Sequence, residues 1–167
     1  MAAVPLGVLV AFLTFVVDQA TKVWLYYVVD IGAREPITVT SFFDVMLVWN
    51  RGISYGLFQQ DDDLGRWLLV GVSIIASIGL GIWLARTKVR LVAASIGLII
   101  GGALGNALDR AVYGAVIDFV HLHAFGYSWY VFNIADAAIV AGVIGLLYDA
   151  LVLEPRRGRA AAGAGEA

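Results

Sequence analysis

The sequence lacks cysteine altogether, and it has few charged residues and only two histidines. The absence of cysteine excludes disulfide bonds, thiol catalysis and metal sites held by thiolates. Charged residues make up 14% of the 167-residue chain and hydrophobic residues 61%, whereas soluble domains are nearer one-quarter charged. The formal net charge of -2 provides no basic excess for binding nucleic acid. This composition indicates an integral membrane protein.

Four apolar segments are long enough to cross a hydrocarbon layer of about 30 Å, which takes roughly 20 residues each. They run over 4–27, 67–85, 91–110 and 132–153. The first segment lacks the basic start of a cleavable signal, so we expect it to be retained as a membrane helix. We predict one membrane-embedded domain over 1–154 and a disordered cytoplasmic tail over 155–167.

Basic residues predict the orientation of these helices. The link between the second and third segments holds Arg86, Lys88 and Arg90, and the tail holds Arg156, Arg157 and Arg159. These six of the 11 basic residues fall on one side of a four-helix topology. Because cytoplasmic flanks are enriched in Lys and Arg, we expect both termini to lie in the cytoplasm.

The segment at 36–58 is rich in β-branched and aromatic residues, and residues 37–40 alternate apolar and polar as a half-buried strand does. Asn50, Arg51 and Gly52 form a turn signal. The predicted fold is an all-α integral membrane protein. It is a four-transmembrane-helix bundle with a small extracytoplasmic β-sheet and a short extracytoplasmic helical segment.

Small residues recur every four positions on two of the predicted helices. One stripe comprises Gly97, Gly101 and Gly105, and the other comprises Ser73, Ser77, Gly81 and Ala85. Such stripes allow another membrane helix to approach closely. We therefore predict that both stripes are packing faces.

Polar and ionisable side chains concentrate at one level of the predicted bundle. The outer ends of three helices carry Asp18, Lys22, Asn106, Asp109, Arg110, Asn133 and Asp136, and Asp118 follows the third helix closely. Ionisable groups at membrane depth are costly and are usually functional. Their common depth predicts a single site near the outer membrane–water boundary.

Within this cluster, Asp118 and Asp136 lie on either side of the outer loop without basic neighbours in sequence. Two carboxylates that face one another cannot both ionise comfortably, so one keeps a proton. The ionised group can take a proton from water, and the protonated group can polarise a carbonyl or protonate a leaving amine. This is the chemistry of peptide hydrolysis without a cofactor. For Asp18 and Asp109, we instead expect structural ion pairs with basic residues such as Lys22.

Other chemistries have less support in the sequence. Ser54 with Lys22 is conceivable as a Ser–Lys pair. Asp118, His121 and His123 spell D-x-x-H-x-H, but no HExxH accompanies them, so we favour interfacial histidines and predict no metal. Two alternatives are not enzymes. They are a small proton-coupled transporter, in which buried acids mark an ion path, and an assembly subunit held by structural ion pairs.

Five blocks, in family order, resemble the lipoprotein signal peptidases (the signal peptidase II family). They are DQATKVW at 18–24, NRGISYG at 50–56, GGALGNALDR at 101–110, VIDF at 116–119 and FNIADAAI at 132–139. The resemblance implies an intramembrane aspartyl endopeptidase of the bacterial cytoplasmic (inner) membrane. Such an enzyme removes the signal peptide from diacylglyceryl-modified prolipoproteins, cutting before the lipidated cysteine, with its active site near the outer face.

The resemblance also implies roles for individual residues. The catalytic pair falls on Asp118 and Asp136. Supporting positions fall on Asp18, Lys22, Asn50, Gly52, Asn106, Asp109, Arg110 and Asn133. Ser54 and Tyr55 depart from the family pattern, which bears on substrate fit rather than on the chemistry. The implied partners are prolipoprotein substrates, membrane lipid and a globomycin-type inhibitor. We expect a monomer that needs no cofactor and binds no nucleic acid.

Overall fold

Four long helices form the body of the molecule in the computed structural model, which describes residues 2–52 and 63–164, with side chains up to residue 159. They are α1, Ala3–Val23; α2, Asp63–Arg86; α3, Arg90–Tyr113; and α4, Ile134–Tyr148. A π-helical turn extends α1 over Trp24–Val29, and another extends α4 over Asp149–Leu153. All four helices are long and apolar enough to cross a membrane, which confirms the predicted bundle.

Several helix ends differ from the predicted ones, and capping groups set two of these boundaries. Helix α2 is described from Asp63, whereas its predicted start is residue 67. Helix α3 continues until Gly114 caps it in the left-handed conformation at φ 80°. Helix α4 begins at Ile134, because Asn133 is the N-cap of this helix. The side chain of Asn133 accepts a hydrogen bond from the backbone N–H of Asp136.

Helix α3 is the central helix, and it contacts each of the other three. Gly97 and Gly101 lie against the α1 backbone. A Cβ on Gly97 would overlap the carbonyl oxygen of Gly7, and a Cβ on Gly101 would lie 2.5 Å from that of Ala11. The packing stripe predicted on α3 is therefore confirmed, because its glycines let two helix backbones come together.

The stripe on α2 is a packing face only in part. Ser77 is buried, but nothing lies within 4 Å of a Cβ placed on Gly81. Gly81 lines an apolar groove of about 520 Å³ between α1 and α2, together with Val8 and Ile78. The prediction of tight packing is wrong at Gly81, because the spacing of small residues does not indicate what the stripe faces.

Replacing Gly97 with alanine is expected to destabilise the protein, because the added methyl group would overlap the α1 backbone. Overpacking of this kind costs about 1–3 kcal/mol. Gly81→Ala is the matched control on an open face, where alanine should be neutral or stabilising by up to about 1 kcal/mol through its helix propensity. Thermal unfolding of both variants in the same detergent checks this difference, and equal transitions would contradict the close α1–α3 contact.

A four-stranded antiparallel sheet lies at the end of the bundle where α1 and α3 terminate. Its strands are β1, Ile37–Thr40; β2, Phe43–Asn50; β3, Val116–Ala124; and β4, Tyr127–Ser128, in the order β1-β2-β3-β4. The strand predicted at 37–40 is confirmed, whereas β3 and β4 were not predicted. Every helix in the described part of the chain belongs to one of the four spans or extends one, so the predicted separate short helix does not occur there.

The sheet rests on the end of α1 through a small apolar cluster. Leu25 and Ile31 follow α1 and pack against Ile117 and Phe119 of β3, and all four side chains are buried. Full burial of such a side chain contributes about 1.5–3 kcal/mol. Because Asp118 lies between two of these anchored residues, its backbone is held firmly at this end of the bundle.

The tail is helical where disorder was predicted. Helix α5, Glu154–Ala164, continues directly from the end of α4. Arg157 donates two hydrogen bonds, of 3.0 and 2.8 Å, to the carboxylate of Asp149. The low-complexity composition was misleading, because alanine and arginine both have high helix propensity. Ser54 and Tyr55 lie outside the described residues.

Candidate active site

The two candidate catalytic carboxylates reach one site from different elements. Asp118 belongs to β3, and Asp136 belongs to the first turn of α4. Asn133 donates from Nδ2 to Asp118 Oδ1 at 2.6 Å, and Asn106 donates from Nδ2 to Asp136 Oδ1 at 2.9 Å. The Nδ2 atom of Asn133 also donates to Asn106 Oδ1 at 3.1 Å. A pair of hydrogen-bonded amides therefore links the two carboxylates.

The start of α4 fixes the position of Asp136. Its N–H donates to Asn133 Oδ1 at 2.9 Å, and its Oδ2 accepts the N–H of Asn133 at 3.2 Å. This reciprocal capping box satisfies two backbone donors that a helix start would otherwise leave unpaired. The FNxAD block thus has a local structural reason for its spacing, because the asparagine and the aspartate lie three residues apart.

The turn after β2 orients Asp118 from its other side. Asn50 donates from Nδ2 to Asp118 Oδ2 at 3.0 Å, while Asn50 Oδ1 accepts the Gly52 N–H at 3.0 Å. Arg110 holds the same turn, because its Nη2 donates to the Gly52 carbonyl oxygen at 2.8 Å. Its Nη1 donates to the Asn106 carbonyl oxygen at 3.4 Å. The predicted turn is confirmed, and it connects β2 with the end of α3.

A buried ion triad lies beside the two linked amides. The Nζ atom of Lys22 is 2.8 Å from Asp18 Oδ2 and 2.8 Å from Asp109 Oδ2, and no side chain of the three is more than 1% exposed. Lys22 also donates to Asn106 Oδ1 at 3.0 Å. The predicted ion pairs are confirmed. These contacts do not support a Ser–Lys pair, whose Ser54 lies outside the described residues.

The acids of the triad also hold the backbone on both sides of the site. Asp18 Oδ1 accepts the N–H of Ala135 at 3.0 Å, and Asp109 Oδ2 accepts the N–H of Ile117 at 3.2 Å. Each of these two backbone donors belongs to the residue that immediately precedes a candidate catalytic aspartate. The triad therefore positions both carboxylates through the main chain.

Gln19 belongs to this network, although it is not among the predicted site residues. Its Nε2 lies 3.1 Å from Asp18 Oδ2, 2.9 Å from Asp109 Oδ1 and 3.2 Å from the carbonyl oxygen of Gly105. Gln19 thus bridges α1 and α3 beside the ion triad. A polar amide next to Asp18 at membrane depth was the signal that would have identified it.

Burial and the charge of the neighbouring Asp136 raise the pKa of Asp118 to about 7, although hydrogen bonds from Asn50 and Asn133 act in the opposite direction. The side chain of Asp118 is only 1% exposed, so water screens this interaction poorly. Two acids coupled in this way titrate as a pair. The pair therefore retains a proton in a large fraction of molecules near neutral pH.

A cavity of about 260 Å³ opens beside Asp136, and it is also lined by Asn50, which donates to Asp118. Its polar wall includes Asn50, Asn106, Arg110 and Asp136. Its apolar wall includes Val116, Ile139 and Val140. A water molecule occupies about 30 Å³ in the liquid, so the cavity has room for water together with part of a peptide backbone.

The histidines of the D-x-x-H-x-H pattern do not join Asp118. His121 and His123 instead meet Asp44 of β2. This arrangement follows from the register of the sheet, in which Asp44 lies opposite His121. The sequence alone does not identify Asp44, because the pairing of β2 with β3 joins segments that are far apart in the chain.

Comparison with known proteins identifies close relatives. The family model described as signal peptidase (SPase) II matches residues 10–152. A lipoprotein signal peptidase of Methylobacterium radiotolerans is 58% identical over 160 residues, covering 96% of this chain and 94% of the relative. A lipoprotein signal peptidase of Nitrobacter hamburgensis is 52% identical over 153 residues, covering 89% of this chain and 93% of the relative.

Solved structures are similar in fold. A bacterial membrane enzyme solved by the in meso method at 2.3 Å resolution has a TM-score of 0.76 and 28% identity, with 87% of each chain covered. A second such structure, at 1.9 Å resolution, has a TM-score of 0.73 and 29% identity. Together with four membrane-spanning helices and a family match over most of its length, these similarities show that the chain belongs to the signal peptidase II family of aspartic peptidases.

Proposed function

We propose that Asp118 and Asp136 are the catalytic pair of this peptidase and that they hydrolyse a peptide bond with water, without a metal or a covalent intermediate. The observation that carries the proposal is their convergence from β3 and α4, where the amides of Asn106 and Asn133 link them and Asp136 lines the cavity of about 260 Å³. Membership of an aspartic peptidase family supports the assignment. It also favours a peptidase over the transporter and assembly-subunit alternatives.

The proposed reaction uses the one proton that the pair shares. The ionised carboxylate takes a proton from water as the water oxygen attacks the carbonyl carbon, and the protonated carboxyl gives its proton to the carbonyl oxygen. The carbon–nitrogen bond then breaks. The leaving amine takes the proton from the first carboxyl, and the second recovers its proton from a hydroxyl of the intermediate. The cycle consumes one water molecule and restores the starting protonation state.

In this proposal the supporting residues position the pair rather than react. Asn50 and Asn133 each donate to Asp118, which holds its two oxygens in fixed directions. Asn106 does the same for Asp136, and Lys22 holds Asn106 in turn. Arg110 and the Asn50 side chain both hold the turn at Gly52 through hydrogen bonds. Arg110 also lines the cavity, where its guanidinium is placed to contact polar groups of the substrate. Asp18 and Asp109 act through the main chain.

The proposed substrate is a diacylglyceryl-modified prolipoprotein, cut immediately before its lipidated cysteine. The relatives are named lipoprotein signal peptidases. The cavity supports this substrate class, because both apolar and polar residues line it and it lies among membrane-spanning helices. A globomycin-type inhibitor is proposed to occupy the same cavity, and the enzyme is proposed to act as a monomer.

The site is proposed to face the outer side of the inner membrane. Six basic residues lie in the α2–α3 link and around the start of α5, and these segments are at the end of the bundle away from the sheet. Under the rule that basic flanks remain in the cytoplasm, the sheet and the carboxylate pair lie at the opposite face. The substrate's lipidated cysteine would then meet the pair near the interface.

A cleavage assay tests this function. The purified protein in detergent is incubated with a diacylglyceryl-prolipoprotein, with and without a chelator, and both products are identified by mass spectrometry. The matched control substrate has the same sequence without the diacylglyceryl group. We expect a free signal peptide and a lipoprotein that begins at the lipidated cysteine, in equal yield with chelator. Absence of cleavage by folded protein, or cleavage abolished by the chelator, would overturn the proposal.

The cleavage rate is expected to fall as the pH rises above about 7, because the pair then loses its shared proton. It should also fall at low pH, where both carboxyls become protonated.

The raised pKa of Asp118 also affects stability, because the folded protein binds this proton more tightly than the unfolded chain. The contribution of Asp118 to the free energy of unfolding therefore decreases as the pH rises toward about 7, so folding is checked at each pH. Single-turnover rates, with folding checked at each pH, measure the profile. A constant rate across about pH 6–9 would contradict a shared catalytic proton.

A further inference from the structure

Three potential metal ligands meet at the distal end of the sheet, away from the catalytic pair. His123 Nε2 lies 2.8 Å from Asp44 Oδ2, and His121 Nδ1 lies 3.4 Å from the same oxygen. One ligand atom of each residue lies within 4.8 Å of the other two. All three side chains are partly buried, with exposed fractions of 16% for Asp44, 19% for His121 and 32% for His123. They form a defined cluster rather than a solvated patch of charge.

The contacts within this cluster are short, but ordinary hydrogen bonding does not account for all of them. The Nε2 atom of His123 is buried and has no hydrogen-bond partner, although Asp44 Oδ2 is 2.8 Å away. This short approach therefore does not have the geometry of a hydrogen bond. A cation bound by both atoms would satisfy them, because a metal ion accepts a nitrogen lone pair and a carboxylate oxygen at the same time.

The surroundings of His121 suit a metal ligand as well. Its Nε2 lies 3.3 Å from the hydroxyl oxygen of Ser128, while its Nδ1 faces Asp44. When Nε2 donates to Ser128, the lone pair of Nδ1 points toward the cluster. Metal-binding histidines commonly donate their second ring nitrogen to such a partner, which fixes the tautomer and the orientation of the ring.

The dimensions of the cluster are close to those of a tetrahedral site. Zinc bonds to histidine nitrogen and carboxylate oxygen are about 2.0–2.2 Å long, so ligand atoms around a tetrahedral ion are roughly 3.3–3.6 Å apart. The His121–Asp44 separation of 3.4 Å falls within that range, whereas the His123–Asp44 separation of 2.8 Å is about 0.5 Å shorter and would widen when an ion binds. Imidazole with carboxylate favours Zn²⁺ and similar transition metals over Mg²⁺ and Ca²⁺, which prefer all-oxygen shells.

We propose that Asp44, His121 and His123 bind one divalent transition-metal ion of the Zn²⁺ class, with the fourth position open to water. The ion would join β2 to β3 at the end of the sheet. His123 also lines an apolar groove of about 520 Å³ with Phe42 and Trp129, so the ion would fix one wall of that groove. The proposed role of the ion is structural rather than catalytic. Asp118 lies three residues before His121 along β3, a distance of about 10 Å. Both carboxylate oxygens of Asp118 already accept hydrogen bonds from asparagine side chains.

Equilibrium dialysis of the full-length, tag-free protein in detergent against Zn²⁺ alone tests this site. The wild type is expected to retain one equivalent per chain and to unfold at a higher temperature when zinc is bound. Asp44→Asn and His123→Ala should bind at least about 100-fold more weakly, a larger loss than removal of an outer-shell partner causes. Their unfolding temperatures should no longer respond to zinc.

Matched controls separate this site from other acids. Asp30→Asn removes an exposed carboxylate outside the cluster and should retain full binding. A double variant, Asp118→Asn with Asp136→Asn, should also retain it, which excludes the catalytic pair as the place where zinc binds. Cleavage of lipidated substrate by the metal-free wild type should be unimpaired at temperatures where the protein stays folded.

X-ray absorption of the zinc-loaded wild type provides a readout that does not depend on how the variants fold. Two imidazole ligands and a four-coordinate shell are expected. The proposal is overturned if the wild type retains no stoichiometric zinc, if the spectrum lacks imidazole ligands, or if binding persists equally in folded Asp44→Asn and His123→Ala.

Discussion

Replacement of either Asp118 or Asp136 with asparagine is expected to reduce the single-turnover cleavage rate by about 1,000-fold or more. Asparagine keeps the shape of the side chain but can neither take a proton from water nor return one, and positioned acid–base groups contribute about 10²–10⁴-fold each. The two losses should not add when both variants are combined, because the pair acts as one unit. Rates are measured with lipidated substrate under conditions where substrate concentration does not limit the reaction.

The comparison needs a matched substitution that leaves the site intact. Asp30→Asn makes the same chemical change at an exposed position with φ 57°, a conformation that asparagine tolerates well. Its cleavage rate should stay within about twofold of the wild type, as expected for a surface change. A folded Asp118→Asn or Asp136→Asn that cleaves at a rate similar to Asp30→Asn would remove that residue from the catalytic pair.

Replacement of Lys22 with methionine is expected to destabilise the protein by about 3–5 kcal/mol, the usual cost of breaking a buried ion pair from one side. Lys22 contacts both Asp18 and Asp109, and no side chain of the three is more than 1% exposed. Without the ammonium, two buried carboxylates would face each other unpaired. Because these acids hold the residues before the catalytic aspartates, cleavage should fall with stability. Thermal and denaturant unfolding in detergent measure the loss.

Arg157→Met is the matched control for removing a cation from an ion pair. Its partner Asp149 is buried, but the Arg157 side chain is 46% exposed, so water screens the pair. The expected loss is about 1 kcal/mol or less. Adding Asp18→Asn to Lys22→Met should recover part of the lost stability, because one of the two unpaired charges is removed. If Lys22→Met unfolds at the same temperature as Arg157→Met, the triad does not stabilise the fold as described.

Sequence reasoning predicted much of the site because membrane depth is a strong constraint. Helix direction alone brings Asp18, Asn106 and Asp136 to one end of the bundle, and the structure joins all three to one hydrogen-bonded network. The i, i+4 spacing of Asp18 and Lys22 likewise predicted their ion pair. These features depend on helix geometry and on the polarity of side chains, and a short stretch of sequence is enough to predict both.

Features that depend on distant strand pairing were not predicted. The paired residues of β2 and β3 are more than 60 positions apart in the sequence, and only that register brings Asp44 to His121. Local sequence does not encode such a pairing, so it does not indicate that Asp44 is the partner of the histidines. The prediction for the α2 stripe is wrong at Gly81 for a related reason. The sequence shows that the residue is small, but it does not show whether another helix packs against it.

The shared proton of the Asp118–Asp136 pair can be observed directly by infrared difference spectroscopy of the metal-free protein. We predict a carbonyl band from a protonated carboxyl that persists toward neutral pH and disappears as the pH rises through about 7. The same band should be altered in both Asp118→Asn and Asp136→Asn and unchanged in Asp30→Asn. A wild type whose two carboxyls are both already ionised at about pH 5–6 would contradict the proposed mechanism.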